Sequence, residues 1–257
     1  KHRAVKGYMW CVRAVEGNLV VFHYDMGSRS HETARKLLRG YRGTIQTDGY
    51  GTYDQFESDP HIQVIGCWAH ARPKWSDALD EDKRTASEAL AYINKLYHIE
   101  NEAKEAGISG DALKEKRQKE SYPVILQLEK WMYEAVTKTS RNSRIGKAIS
   151  YTLPLLPRLS RYVNDGRFCI DNNLVENAIR SLAWEGRTTC SAGTTMLRCV
   201  LPSSTPWWTV ARPWTLIHVN GWRMSSSVYM GTRTTVKLSW NSCQTNGQNK
   251  PTRINLT

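Results

Sequence analysis

The sequence lacks the marks of a secreted or membrane-spanning chain. Its six cysteines (Cys11, Cys67, Cys169, Cys190, Cys199, Cys243) include no CxxC pair, so their spacing suggests neither a zinc knuckle nor a disulfide framework and fits a reducing cytoplasm. No stretch approaches the ~20 consecutive apolar residues needed to cross a bilayer, and no charged-then-apolar signal segment opens the chain. A soluble cytoplasmic protein with no membrane partner is expected. Position 1 is Lys rather than Met, so the true start is expected upstream.

At 257 residues a sizeable core can form, in one large or two small domains. The formal charge of +12 favours a polyanionic partner, because Lys and Arg gain by displacing counterions from phosphate.

The first part reads as mixed α/β. Gly7 to Ala14 and Asn18 to Asp25 are β-rich runs joined through Glu16 and Gly17, a hairpin signal. Ser30 is a candidate N-cap, with Glu32 or a neighbour completing a capping box, for a helix ending at Gly40. Gly43 to Asp48 reads as a short strand ending in a carboxylate. Ile62 to His70 reads as a strand apolar enough to be buried on both faces. Tyr50, Tyr53, Phe56 and Trp68 are expected in the core.

From about Trp75 to Ala148 apolar residues recur at three- and four-residue spacing in charged, helix-forming sequence. Breaks are expected at Ser109–Asp111 and Ser121–Pro123, and the charge runs read as solvated faces. A further helix then starts at Asp171 or Asn172 and carries Glu176 and Arg180 on one face. Strands alternating with helices, then a helical insertion, predict a layered α/β domain interrupted by helices.

Composition breaks at Trp184. From there to Thr257 the only acid is Glu185, yet six of the ten tryptophans fall in this stretch. It is either a basic β-rich domain with aromatic DNA-stacking residues or a translation in the wrong frame. The genetic code offers a test: Trp184 is TGG and Glu185 begins GA, so reading from the third base forces Gly. Through Cys190 the shifted frame permits GRKNYL, and through Pro202 FCGNHDAAVRAA. A protease-resistant core ending near Ala183 is expected.

Two carboxylates stand out as carriers of chemistry. Asp48 ends a predicted strand and Glu176 lies early on a distant helix, so a fold could bring them to one sheet edge. Carboxylates there suit Mg²⁺ or Mn²⁺, which prefer hard oxygen ligands. Two such ions ~4 Å apart support in-line attack on a phosphodiester. On spacing alone the signal is weak: a strand-end Asp is more often a turn former, and a helix-start Glu more often favours the helix dipole.

The segments TDGYGTYDQF, GCWAHARPKWSDAL, IGKAISY and DNNLVENAIR, in that order, resemble the motifs of the insertion sequence sixty-six family of transposases, with the similarity running from about Gly7 to Ala183. The resemblance implies a partial catalytic domain over 1–183, with an incomplete ribonuclease-H-like core and a helical insertion at about 75–148. A poorly structured, out-of-frame tail would occupy 184–257, since the family's GRKNYLF-type segment matches the shifted frame. It also implies an Asp, Asp, Glu triad in which Asp48 is the second acid and Glu176 the third, Mg²⁺ or Mn²⁺ as cofactor, and insertion-sequence ends as the DNA partner. The first acid belongs to a D-E-T segment on a strand before the GYMW hairpin, upstream of Lys1. A homo-oligomeric parent enzyme is compatible with the family. The chain itself is expected to be inactive, the alternative being a non-catalytic basic DNA-binding remnant.

His70, Arg72, Lys74, Asn173 and Arg180 are the candidate DNA contacts. The competing roles are packing or capping for His70, helix capping for Asn172 and Asn173, and an ion pair with Glu176 for Arg180. Pro73 stands where the family usually has Arg, close to an expected helix start where proline is tolerated, and Ser181 where it usually has Pro.

Overall fold

The computed structural model describes residues 5–15, 20–25, 29–178, 217–227 and 235–237. Two compact units emerge: unit 1 comprises Lys1–Val64 with Asn173–Thr257, and unit 2 Ile65–Asn172.

Unit 1 is built on a sheet. Strands β1 (Val5–Ala14) and β2 (Val20–Asp25) pair antiparallel from Tyr8 opposite Asp25 to Arg13 opposite Val20. The predicted hairpin therefore forms, although Glu16 and Gly17 at its turn lie outside the described residues. Helix α1 (His31–Leu37) starts where expected, with Ser30 Oγ accepting from the Thr33 N–H. Glu32 does not close a capping box; it pairs with Lys36 one turn on, at 2.8 Å. Strand β3 (Gly43–Thr47) and a 3₁₀ turn (Gly51–Phe56) follow.

Strand β4 (Ile62–Ile65) is shorter than the apolar run predicted. The run divides at Gly66, because Trp68 to His70 already belong to the next helix. Nor is β4 buried on both faces: it is the edge strand of the sheet, and Gln63 is exposed.

Most of 184–257, where a poorly structured tail is expected, lies outside the described residues; those described there form two strands, β5 (Ile217–Ser227) and β6 (Thr235–Lys237). Ile217 and Val219 alternate with polar His218 and Asn220, the two-residue period that a sheet needs. The sheet order is β2-β1-β5-β3-β4, with β6 paired to β5. Strand β5 runs antiparallel to β1 over ten pairs and parallel to β3 at Ile45–Ile217, Gln46–His218 and Thr47–Val219. The core of this unit gathers Trp10, Val12, Ala34, Leu38, Tyr41, Ile45, Tyr53, Phe56 and Val64. Trp10 meets Tyr53 edge to face at 6.4 Å between ring centroids.

Unit 2 is helical: α2 (Trp68–Ala78), α3 (Lys83–Glu105), α4 (Gly110–Lys116), α5 (Tyr122–Val136) and α6 (Arg144–Ser160). Helix α3 buries Ala86, Ala89, Leu90, Ile93, Leu96, Ile99 and Ala103, the three- and four-residue spacing read from the sequence. Asp82 caps it by accepting from the Thr85 N–H at 3.0 Å. A break occurs between Ala106 and Ser109, with Gly107 at φ 67°. The second expected break, at Ser121–Pro123, is instead a π-turn (Arg117–Ser121) leading straight into α5. Pro123 is the second residue of α5. The turn carries Arg117, only 2% exposed, whose guanidinium meets Glu100 at 2.6 and 2.8 Å and donates to the carbonyls of Tyr162 and Asp165.

Helix α2 begins at Trp68, so Pro73 lies in its second turn rather than close to its start. Trp68 Nε1 donates to the Leu159 carbonyl and Trp75 Nε1 to Thr152 Oγ1, both at 3.0 Å, fixing α2 against α6. Gly66 allows this approach: a Cβ there would lie 2.9 Å from Leu159 Cδ2.

Candidate functional site around Asp48 and Glu176

Asp48 directly follows β3, and Gly49 in the left-handed region (φ 76°) lets the chain double back behind it. The Tyr50 N–H consequently donates to Asp48 Oδ1 at 3.0 Å. The other oxygen, Oδ2, accepts from Arg29 Nη2 at 3.3 Å. The Arg29 guanidinium lies over the Tyr50 ring, 3.8 Å from its centroid. Tyr50 was expected in the core and is 38% exposed, because its ring serves as the platform for Arg29. Beneath lies Tyr53, fully buried as expected. Burial raises its hydroxyl well above the ordinary tyrosine range; the Asp48 charge adds to the rise and Arg29 opposes it.

Glu176 is half-buried on the helix at 173–178, and it shares unit 1 with Asp48. Asn173 is exposed at the first position of that helix. Arg13 Nη1 donates to the Leu174 carbonyl at 3.4 Å, a link from β1 to the helix. Arg180 lies outside the described residues.

His70, Arg72 and Lys74 belong to unit 2. His70 Nδ1 is 3.2 Å from Cys67 Sγ. Arg72 is exposed and donates to Asn94 Oδ1 at 3.4 Å, while Lys74 Nζ lies 5.4 Å from the Tyr151 ring centroid.

Two participants escaped the sequence reading. Arg29 stands 19 positions from Asp48, with no local spacing signal. Within unit 2, Cys67 donates to Asn172 Oδ1 at 3.0 Å and the Asn172 N–H donates back to Cys67 Sγ at 3.4 Å.

Among the described residues, no group of three or more His, Cys, Asp or Glu side chains could hold a metal ion. Asp48 accepts from the Tyr50 N–H and pairs with the Arg29 guanidinium, surroundings that do not fit a divalent cation. Also among the described residues, no helix is long and apolar enough to cross a membrane.

The profile of the Transposase IS66 family matches residues 1–196. This chain belongs to the IS66 transposase family. Among curated proteins it is similar to two uncharacterized proteins of Sinorhizobium fredii. Identity is 31% to y4qI over 170 residues (63% of this chain, 31% of that protein) and 32% to y4jD over 164 residues (61% and 32%). The chain thus spans about a third of the length of these relatives. No solved structure matches it.

Proposed function

We propose that this IS66-family chain is a fragment of a DNA transposase whose parent cuts and joins DNA at insertion-sequence ends with Mg²⁺ or Mn²⁺. The observation that carries the reading is the family match over residues 1–196, which contains both Asp48 and Glu176. These two serve as carboxylates of an acidic triad in the parent. Unit 1, an antiparallel hairpin joined to further strands with α1 between β2 and β3, is read as an incomplete ribonuclease-H-like core. His70, Arg72, Lys74, Asn173 and Arg180 are proposed to face DNA in that parent.

The chain alone is proposed to be inactive, since Asp48 is bound to Arg29 and the described residues include no group of three or more His, Cys, Asp or Glu that could hold a metal ion. The tail is read as a family C-terminus out of frame: the match ends at residue 196, close to the composition break at Trp184. The nucleotide sequence across codons 183 and 184 tests that part. Incubation with transposon-end DNA and Mg²⁺ or Mn²⁺ tests the rest. No cleavage is expected, and cleavage abolished by Glu176→Ala would overturn the inactivity.

The +12 charge favours a second, non-catalytic reading, a basic remnant that binds DNA without cutting it. It predicts affinity that falls steeply with salt, as counterion release requires. Equal affinity at low and high salt would exclude it.

A further inference from the structure

We infer that a basic groove in unit 1, at the far end of β3 from Asp48, binds the phosphates of a DNA backbone through Arg35, Arg39 and Arg42. The inference rests on the reading of this chain as a DNA-binding member of its family, and none of the DNA contacts proposed above lies in this groove. Its hollow, about 300 Å³, lies between the end of α1 and the starts of β3 and β4. Arg35 comes from the last turn of α1, Arg39 from the turn just after it, and Arg42 immediately precedes β3. His61 immediately precedes β4, and its carbonyl accepts from the Gly43 N–H at 2.9 Å, which brings the starts of the two strands together. Packing fixes the loop that presents Arg42. Tyr41 is buried and its hydroxyl donates to the Thr44 carbonyl at 3.0 Å, which leaves no room for a side chain at residue 43: a Cβ on Gly43 would lie 2.8 Å from Tyr41 Oη.

Charge and surface chemistry select the ligand. The lining carries three guanidiniums and one imidazole against a single carboxylate, Asp59, one oxygen of which already accepts from the His61 N–H at 2.9 Å. Arg35, Arg39 and Arg42 are exposed, and none makes an ion pair among the described residues; Glu32, the acid of α1, pairs with Lys36 instead. Arginine matches a phosphate with a planar fork of donors, which a lysine cannot offer. The apolar residues beneath, Leu38, Phe56 and Ile62, are buried, so the groove presents no large exposed apolar side chain to seat a peptide or enter a lipid layer. Three cations set along one groove suit successive phosphates of a strand, contacts that hold the backbone without reading its bases.

The test is the salt dependence of binding between the full chain and a random-sequence DNA duplex, followed by fluorescence anisotropy. Each phosphate contact contributes about 0.9 to the slope of log affinity against log salt, so Arg35→Gln, Arg39→Gln and Arg42→Gln combined should flatten the slope by about 2.7 and weaken binding at low salt on the order of tenfold or more. Lys104→Gln, Lys119→Gln and Lys138→Gln combined remove the same charge from exposed positions of unit 2 and should leave the slope near that of the unaltered chain. Equal flattening in the two triple variants, or an unchanged slope in the groove variant, overturns the inference. A measurement on the unaltered chain guards against a folding defect in the variants: bound DNA should slow phenylglyoxal labelling of Arg35, Arg39 and Arg42, mapped by mass spectrometry, while the exposed Arg141 keeps its rate. Equal labelling with and without DNA overturns the inference, and so does equal protection by inorganic phosphate at the same phosphate concentration, which would make the groove a small-anion site. If the unaltered chain binds no DNA, the DNA-binding reading fails and the inference with it; binding that the groove variant leaves unchanged refutes the inference alone.

Discussion

Cys67 and Asn172 close a two-way bond across 105 positions of sequence: the thiol donates to Oδ1 at 3.0 Å, and the Asn172 N–H returns to the sulfur at 3.4 Å. Both residues are buried. Cys67→Val keeps the volume but removes donor and acceptor together, leaving a buried N–H and an amide oxygen without partners. The expected loss is about 1–3 kcal/mol, read as a lower urea midpoint. Cys67→Ser, which restores both hydrogen bonds, should recover most of it. Equal losses in the two variants would show that packing, not hydrogen bonding, makes the link.

Arg117 and Glu100 form the buried ion pair of unit 2, at 2% and 15% side-chain exposure. Arg117→Met strands the Glu100 carboxylate and the carbonyls of Tyr162 and Asp165. Breaking such a pair from one side costs roughly 3–5 kcal/mol, because the remaining charge stays buried. Arg117→Met combined with Glu100→Met should be more stable than Arg117→Met alone. Urea denaturation of the three chains decides this, and a double variant less stable than the single would refute the account.

A pH dependence follows from Asp165. The Arg167 side chain bonds to both its carboxylate oxygens, at 2.7 to 3.2 Å, and holds its pKa below the ordinary 3.8. A depressed carboxyl stabilises the fold above its unfolded pKa, and the contribution disappears as pH falls through the lower folded value. Arg167→Ala should thus be less stable than the unaltered chain near neutrality, with the difference shrinking once pH drops below 3.8. Thermal denaturation from pH 7 down to pH 3 checks this, and a gap that widens in acid would reverse the sign.

What the sequence disclosed was local, and what it concealed was distant. The Ser30 cap, the strand before Asp48 and the buried stripe of α3 each declare themselves within one or two turns of chain. The run from Ile62 to His70 misled because an apolar stretch alone does not separate a strand from the start of a buried helix. Tyr50 looked like core and is the surface platform of Arg29. The Arg29–Asp48 and Cys67–Asn172 pairings depend on side chains that meet only after folding. Strand β5 was hidden by the composition around it, although Ile217 and Val219 carry the alternation of a strand.

That hidden strand carries the last prediction. In the order β2-β1-β5-β3-β4, β5 is the strand that hydrogen-bonds the hairpin to the β3–β4 pair among the described residues, and its ten pairs with β1 run from Val5–Ser226 to Ala14–Ile217. Without it, backbone groups beside the buried residues Trp10, Cys11, Val12, Gln46 and Thr47 would lose their partners, a cost that accumulates along the strand. Deleting Ile217–Ser227 should therefore abolish slow amide hydrogen exchange over β1 and β3. The helices of Ile65–Asn172, a compact unit by themselves, should keep theirs. A chain stopped at Ala183 would then leave a resistant helical core without a resistant sheet, in contrast to the single core ending near Ala183 that the sequence predicts. Mass-spectrometric exchange on the two chains distinguishes these outcomes, and unchanged protection at Trp10 and Ile45 after the deletion would show that β5 does not join the sheet's two halves.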